Sequence, residues 1–473
     1  MNSRIKKILY LPIETVSREM DAKLLLSVKA IDSGYTVFIG SKGRVKTLAN
    51  IIKHGIWIDK GHGDHYMSER LNSLIKSNIV CAAFDEEALA IVSPEIYLNH
   101  RNIRSGAALN SIHCVFAWGD YQAKVMEPLV KDNSKVCISG SLRFDLLKKP
   151  YCEIYNQKIL EIKKTYGQFI LINTNFHPWN NSGRAKGYIE KRRRAGAIST
   201  NSDEIFYLNR VRYTRRLFHH YASSAIALSR AFPDLSILIR PHPSECLETW
   251  LETVKGYNNL HVVRDGNVHP WILASECVIH TGCTTGLEAF VAGKPVVKFH
   301  PIFKKEYESS IANSVGVPIY CSKALIDQVK LNMEAGSKEK KISGDDESLQ
   351  YYLFNTKENN AVTVMLERIN ELNKICQFKR FSVIRYSLGL AFLHMLKIRE
   401  QLSLKRVLLN VNGVNEFTKF PPFNKGQVLN SVMQINKVCA STSKIRISIF
   451  SSYALVFSGR KTWMNRVVDF MKL

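Results

Sequence analysis

Two consecutive α/β domains, each built on a parallel sheet, are the fold class that the sequence predicts. Three observations carry this reading. Short β-branched and apolar runs alternate with helical or loop segments over residues 1–150, pause over about 148–167, and resume over 168–375; such alternation implies parallel sheets with helices on both faces. The chain has 473 residues, more than one compact core takes. Two segments about forty residues apart, Ile237-Leu-Ile-Arg-Pro-His-Pro-Ser-Glu245 and Cys277-Val-Ile-His-Thr-Gly-Cys-Thr-Thr-Gly-Leu-Glu-Ala-Phe-Val-Ala-Gly-Lys-Pro-Val-Val-Lys-Phe299, run as buried strands and then break into polar or glycine-containing sequence. Open α/β sheets bind ligands at that carboxyl edge.

In the first domain, Ile5–Leu11 reads as a strand and Ser17–Ser33 as a helix with Leu24, Leu25, Val28 and Ile31 on its apolar side. Gly34 ends that helix, and strands follow at Thr36–Gly40, Ile56–Ile58, Ile79–Phe84, Val115–Trp118 and Val136–Ser139. No Gly-x-Gly-x-x-Gly follows the first strand, so the dinucleotide-binding motif is absent. In the second domain Phe169–Thr174 is a strand, Asn175 to about Asp203 a polar loop, and about Glu204–Phe232 a long helix. Ser236–Arg240, His261–Arg264, Val278–His280 and Val296–Phe299 complete its strands. Two such domains in tandem are expected to face one another across a cleft, a preferred place for a ligand.

Residues 376–473 lose the alternation and form a basic C-terminal extension. They hold 16 Lys/Arg and 3 acidic residues, half of the chain's +25 excess. The apolar stretches Tyr386–Leu396 and Ile447–Phe457 are too short to span a bilayer, which takes about 20 residues. Flanked by Lys and Arg, they are expected on an anionic membrane surface, or else packed back on the body. A second basic cluster, Lys191-Arg-Arg-Arg194 with Arg184 and Lys186 upstream, reads as a solvated loop or an anion-handling one. No RNA-recognition or zinc-finger spacing accompanies the charge, so a nucleic-acid partner is not expected.

The start, Met1 to Pro12, has an apolar run too short for a signal peptide. The ten cysteines include no C-x-x-C pair, and Cys81, Cys114, Cys137 and Cys277 fall in strand-like runs, as reduced core residues do in a cytoplasmic protein. His62-Gly-Asp-His65 lacks a further ligand nearby, and no metal site is expected.

The strand ends supply the candidate site. The segment after Cys277–His280 turns helical at about Thr284, so Thr281, Gly282, Thr284 and Thr285 stand where a helix N-terminus meets a phosphate; a plain helix cap by Thr284 is the alternative. Glu288 is suited to ribose hydroxyls, or to a solvated first turn. Arg240 can grip a phosphate or carboxylate through two hydrogen bonds. His242, fixed between Pro241 and Pro243, can donate to a leaving phosphate. His280 reads equally as a core histidine or a ligand contact. In the first domain Asp85, Glu86 and Glu87 follow a strand, and a carboxylate there suits a general base or nucleophile; helix capping by Asp85 is the alternative. Glu14, Arg18 and Glu19 follow the first strand, and Lys42 and Arg44 the second, where an anionic acceptor would meet them.

Residues 4–375 resemble the bacterial surface carbohydrate biosynthesis proteins, GT-B-type glycosyltransferases of lipopolysaccharide and capsule loci. The resemblance lies in Leu11-Pro-Ile-Glu-Thr-Val-Ser-Arg-Glu-Met20, Phe38-Ile-Gly-Ser-Lys42, Phe84-Asp-Glu-Glu-Ala88, Phe116-Ala-Trp-Gly119, Ser139-Gly-Ser-Leu-Arg-Phe-Asp145, Ile172-Asn-Thr-Asn-Phe176 and the two segments quoted first. Glu288-Ala-x-x-x-Gly-Lys-Pro-Val296 recurs across GT-B enzymes, and Arg240-Pro-His-Pro243 is similar to an element of enzymes using cytidine nucleotides.

The resemblance implies a GT-B-like glycosyltransferase with an N-terminal acceptor domain (1–150) and a C-terminal donor domain (168–375). It would move a sugar from a CMP- or UDP-linked donor, a substrate and not a cofactor, to a lipid-linked surface glycan. It would work without metal, at the inner face of a bacterial inner membrane. Asp85, Glu86 and His242 would be catalytic. Arg240, His242, Thr281, Gly282, Thr284, Thr285 and Glu288 would bind the donor, and Glu14, Arg18 and Lys42 the acceptor. Glycerol- or ribitol-phosphate transfer from a CDP-linked donor, nucleotide-sugar epimerisation and a silent glycan-binding scaffold remain open on the same fold.

Overall fold

A computed structural model describes residues 7–61, 63, 71–88, 94, 97–98, 103, 105–194, 196–308, 311–334, 346–356, 359–375, 381–407, 424–441, 445–451 and 454–459. His62 and His65 lie outside them.

The first sheet starts with strands β1 (Lys7–Ile13), β2 (Tyr35–Ser41), β3 (Ile56–Lys60), β4 (Val80–Phe84), β5 (Cys114–Ala117) and β6 (Val136–Ile138). These six pair in parallel in the order β2-β1-β3-β4-β5-β6. The second sheet holds β7 (Phe169–Asn173), β8 (Ser236–Arg240), β9 (Leu260–Val262), β10 (Cys277–His280), β11 (Val296–Phe299) and β12 (Val317–Ile319). Its order, β12-β11-β10-β7-β8-β9, is parallel throughout. Counted from β7, that is the doubly wound order of a dinucleotide-binding fold, and it reverses between β7 and β10. The fold class is therefore α/β with two Rossmann-like sheets, as the sequence predicts. Strands with both faces covered need apolar residues at every position; β4 and β7 are buried from end to end.

The chain returns to the first sheet at its far end. β13 (Ile445–Ser451) and β14 (Ala454–Gly459) form an antiparallel hairpin, and β14 pairs antiparallel with β2 in the register Ala454↔Gly40 to Phe457↔Val37. The described residues of the apolar stretch Ile447–Phe457 are thus sheet, and Leu455 and Phe457 are buried. The other stretch lies in the helix Val383–Val407, which turns Tyr386, Leu390 and Leu393 into the core with Val45, Leu48 and Ile52.

The chain forms two compact units. One comprises Met1–Ala88, Arg101–Ile154 and Gln350–Leu473; the other comprises Leu89–His100 and Tyr155–Leu349. Residues 350–375 and the C-terminal extension fall in the first sheet's unit. The helix Ala361–Ile375 packs on the helix Val16–Asp32 and buries Val362, Met365, Ile369 and Leu372. Asp145 holds its start, accepting from Ala361 N (3.0 Å), Val362 N (2.8 Å) and Asn355 Nδ2 (2.5 Å). Asn355 also brackets Ser141, accepting from its N and donating to its O, both at 2.9 Å. The Ser139–Asp145 motif is thus a clamp between distant parts of one unit. Within the stretch read as a loop, Arg184–Arg194 is a helix and carries the Lys191–Arg194 cluster in its last turn.

Candidate functional site

In the second unit the crevice between β7 and β10 lies where the strand order reverses, the usual ligand position in an open sheet. The loops leaving β7, β8 and β10 carry the chemistry.

Glu245 organises the first two. Its buried carboxylate accepts from Thr174 Oγ1 (2.7 Å), Asn180 Nδ2 (3.2 Å), Trp250 Nε1 (3.0 Å) and His242 N (3.1 Å). It so ties the turn after β7 to the Pro-His-Pro turn after β8. Arg264 donates to the carbonyls of His242, Pro243 and Glu245 from the other side. His242 receives Ser244 N–H on Nδ1 at 3.1 Å, so the neutral ring carries its proton on Nε2. Beside it lies His177, a residue the sequence reading missed, with ring centroids 5.6 Å apart. His177 Nδ1 lies 2.8 Å from Asn175 Oδ1 and donates to it, which leaves a lone pair on Nε2. Burial first, then the charges of His242, Arg210, Arg192 and Lys191, hold His177 well below the ordinary histidine value. One imidazole thus presents an N–H and its neighbour a lone pair. The Arg184–Arg194 helix flanks them: Tyr188 meets the His177 ring at 5.8 Å, and the Arg192 guanidinium sits over Tyr188 at 5.1 Å.

Arg240 ends β8. Its Nη2 donates to Gly266 O at 2.6 Å, and its guanidinium lies 5.6 Å from the Trp271 ring. Nη1 is buried without a hydrogen bond to any described residue. Burial brings its pKa down to about 10, with Asp265 opposing the fall.

After β10, Gly282 turns the chain at φ +59°, and the helix Thr284–Val291 starts without a side-chain cap. Thr284 is therefore not a cap; its position is the first helical one, beside Thr285, and both are half-buried. Thr281 is buried. A carboxylate that the sequence did not point to stands here: a Cβ on Gly282 would lie 2.6 Å from Glu308 Oε2. Glu308 is held by Tyr213 Oη (2.6 Å) and Asn313 Nδ2 (3.1 Å). Glu288 departs from expectation. It is 0% exposed and faces His269 Nε2 at 3.8 Å. His269 Nδ1 in turn lies 3.3 Å from Tyr155 Oη. The helix presents Glu288 to the neighbouring helix His269–Ala274, away from solvent. His280 is also fully buried, as a core histidine.

In the first unit the predicted residues gather at the carboxyl ends of β1, β3 and β4, but as ion pairs. Arg18 meets Glu87 at 2.7 Å, and Lys60 meets Glu19 at 3.1 Å and Glu14 at 3.4 Å. Lys23 meets Glu86 at 3.2 Å with both side chains buried. Lys42 pairs with the buried Asp59 at 2.9 Å. Asp85 Oδ1 accepts from Glu87 N at 3.0 Å within a turn. Of this set only Glu14 has a side chain about half exposed. No group of three or more His, Cys, Asp or Glu among the described residues is arranged to hold a metal ion.

No family model and no curated protein matches the chain. Solved structures give distant likenesses. The UDP-GlcNAc 2-epimerase of Neisseria meningitidis, bound to UDP-GlcNAc, is 14% identical with a TM-score of 0.46 over 77% of this chain and 100% of that one. A variant of the wall teichoic acid polymerase TagF is 11% identical with a TM-score of 0.49 over 78% and 90%. The MnaA–UDP structure from S. aureus is 13% identical with a TM-score of 0.47 over 80% and 100%.

Proposed function

We propose that the chain is a GT-B-type glycosyltransferase whose second unit binds a nucleotide-activated sugar at the β7/β10 crevice. The observation that carries this reading is the His177–His242 pair, set beside Arg240 and the cationic helix at the carboxyl edge of a doubly wound sheet. These groups suit a phosphate that gains charge. An acceptor hydroxyl oxygen bonds to the anomeric carbon, the bond from that carbon to the phosphate oxygen breaks, and the electron pair stays on the phosphate. His242 Nε2–H and Arg240 offset the growing charge. Thr284 and Thr285 at the open helix start hold the phosphate, with Thr281 and Gly282 in the approach. Glu288 acts through His269 as a support of that helix. In the first unit Asp85 and Glu86 are assigned to the hydroxyl proton, and Glu14, Arg18 and Lys42 to the acceptor, a lipid-linked surface glycan on the cytoplasmic side. With cations supplied by the protein, the reaction is proposed to need no metal; activity lost in EDTA and restored by a divalent ion would overturn that.

A thermal-shift screen against CMP, CDP, UDP, GDP and their sugar conjugates tests the donor site, since a ligand that binds only the folded state raises its midpoint. A cytidine or uridine nucleotide is expected to stabilise the protein, and His242→Ala and His177→Ala to abolish the shift. A response to none of them overturns the reading and leaves a scaffold. A CDP-linked polyol as the best ligand points instead to polyol-phosphate transfer.

A further inference from the structure

The helix Val383–Val407 is apolar on two sides. Tyr386, Leu390 and Leu393 face the core. On the opposite side Ile384, Leu388, Met395 and Ile398 are 74%, 57%, 62% and 56% exposed. Spacings of four, seven and three residues put these four on one stripe about 20 Å long. A surface helix ordinarily turns charged residues outward, so this outward stripe lacks the solvent-facing chemistry of its place.

What surrounds the stripe is cationic. Residues Val383–Ile398 contain no Asp or Glu, and Arg385 and Lys397 are exposed among them. The helix against which this one packs, Lys42–Ile52, also contains no acidic residue, and Lys46 and the exposed Lys53 follow along it. No helix among the described residues is long and apolar enough to cross a membrane. An apolar stripe with no acidic residue along it or along the helix it packs on, and with cations on both, matches a surface that offers acyl chains beneath a layer of negative charge.

We propose that this face lies flat on an anionic lipid bilayer, with Leu388 and Met395 among the acyl chains and Lys46, Lys53 and Arg385 at the phosphates. The inference is independent of the donor-site reading, and vesicle binding is read separately from nucleotide binding.

Co-sedimentation of the full chain with vesicles tests it. The protein is expected to pellet with phosphatidylglycerol–phosphatidylcholine vesicles about tenfold more strongly than with phosphatidylcholine alone, and to be released by salt. The double variant Leu388→Glu/Met395→Glu is expected to lose about tenfold or more of that binding. Lys46→Glu/Lys53→Glu should weaken it similarly, with circular dichroism showing both variants folded. Leu331→Glu, an exposed change on the helix Ser322–Glu334 of the other unit, should leave it intact. Failure of the unaltered protein to pellet with the anionic vesicles overturns the proposal, as does undiminished pelleting of the Leu388/Met395 variant. So does sedimentation velocity that shows a dimer which this variant dissociates, because a second copy would then occupy the face.

Discussion

Gly286 lies directly over the imidazole of His280. A Cβ on that glycine would stand 2.5 Å from His280 Cε1 and 2.6 Å from Nε2. The strand β10 ends on a fully buried ring, and the first turn of the following helix closes on it. Gly286→Ala should therefore destabilise the protein by about 1–3 kcal/mol, although alanine is the better helix former. Urea unfolding measures this, and Gly286→Ala/His280→Ala should recover most of the loss.

Acidification should weaken the fold through the same ring and through His177. Burial holds His280 at about 3, with His300 and Lys298 adding to the fall, and holds His177 well below its ordinary value. Both folded values lie under the unfolded one, so on acidification the unfolded chain takes up these protons first. Their contribution is complete above about pH 7 and declines as pH falls below the ordinary histidine value, by about 1.4 kcal/mol per pH unit for each ring. Unfolding free energies compared between about pH 7.5 and about pH 5.5 should show the slope, and His177→Gln should reduce it by one ring's share.

Glu288→Ala should lower the thermal midpoint whether or not a nucleotide is present, because it strips a buried partner from His269. The expected cost is about 1–3 kcal/mol, that of a buried polar group losing its neighbour. Glu288→Gln should be milder. A Glu288→Ala protein with unchanged stability and weakened nucleotide binding would show instead that the carboxylate serves the ligand directly.

Asp145→Ala should loosen the helix Ala361–Ile375, since two backbone N–H groups and Asn355 lose their acceptor. A loss of about 1.5–3 kcal/mol is expected for a bond of this kind. Hydrogen exchange on Ala361 and Val362 should quicken in step with the fall in the urea midpoint.

Most strands of both sheets were legible because burial on two faces writes itself as unbroken apolar runs; Phe169–Asn173 and Ser236–Arg240 needed no knowledge of their neighbours, whereas the short edge strand Val317–Ile319 gave no such run. Arg240 and His242 were legible too, because two prolines after a strand mark a fixed turn. His177 was not: it sits in a polar stretch without periodicity, and only the fold of the β7 and β8 loops sets it beside His242. The Arg184–Arg194 helix was hidden by its cations, which read as solvated loop. Glu288 looked like a ribose contact or a solvated first-turn acid, since its neighbour His269 stands on another helix. The β13–β14 hairpin depends on β2 for its edge, a pairing that local sequence does not encode.

That last pairing bears on how the protein is made. The first sheet receives its edge strand from residues 454–457, which seat on β2 at residues 37–40, and its clamp at Asp145 waits for Val362. During synthesis the amino-terminal half leaves the ribosome long before either arrives. Among the described residues the second unit has all of its strands by Ile319 and can close while the first still lacks its edge. Order of translation and order of completion are thus reversed, and a chain halted before residue 454 would carry a finished second unit beside a first sheet with β2 exposed as a free edge.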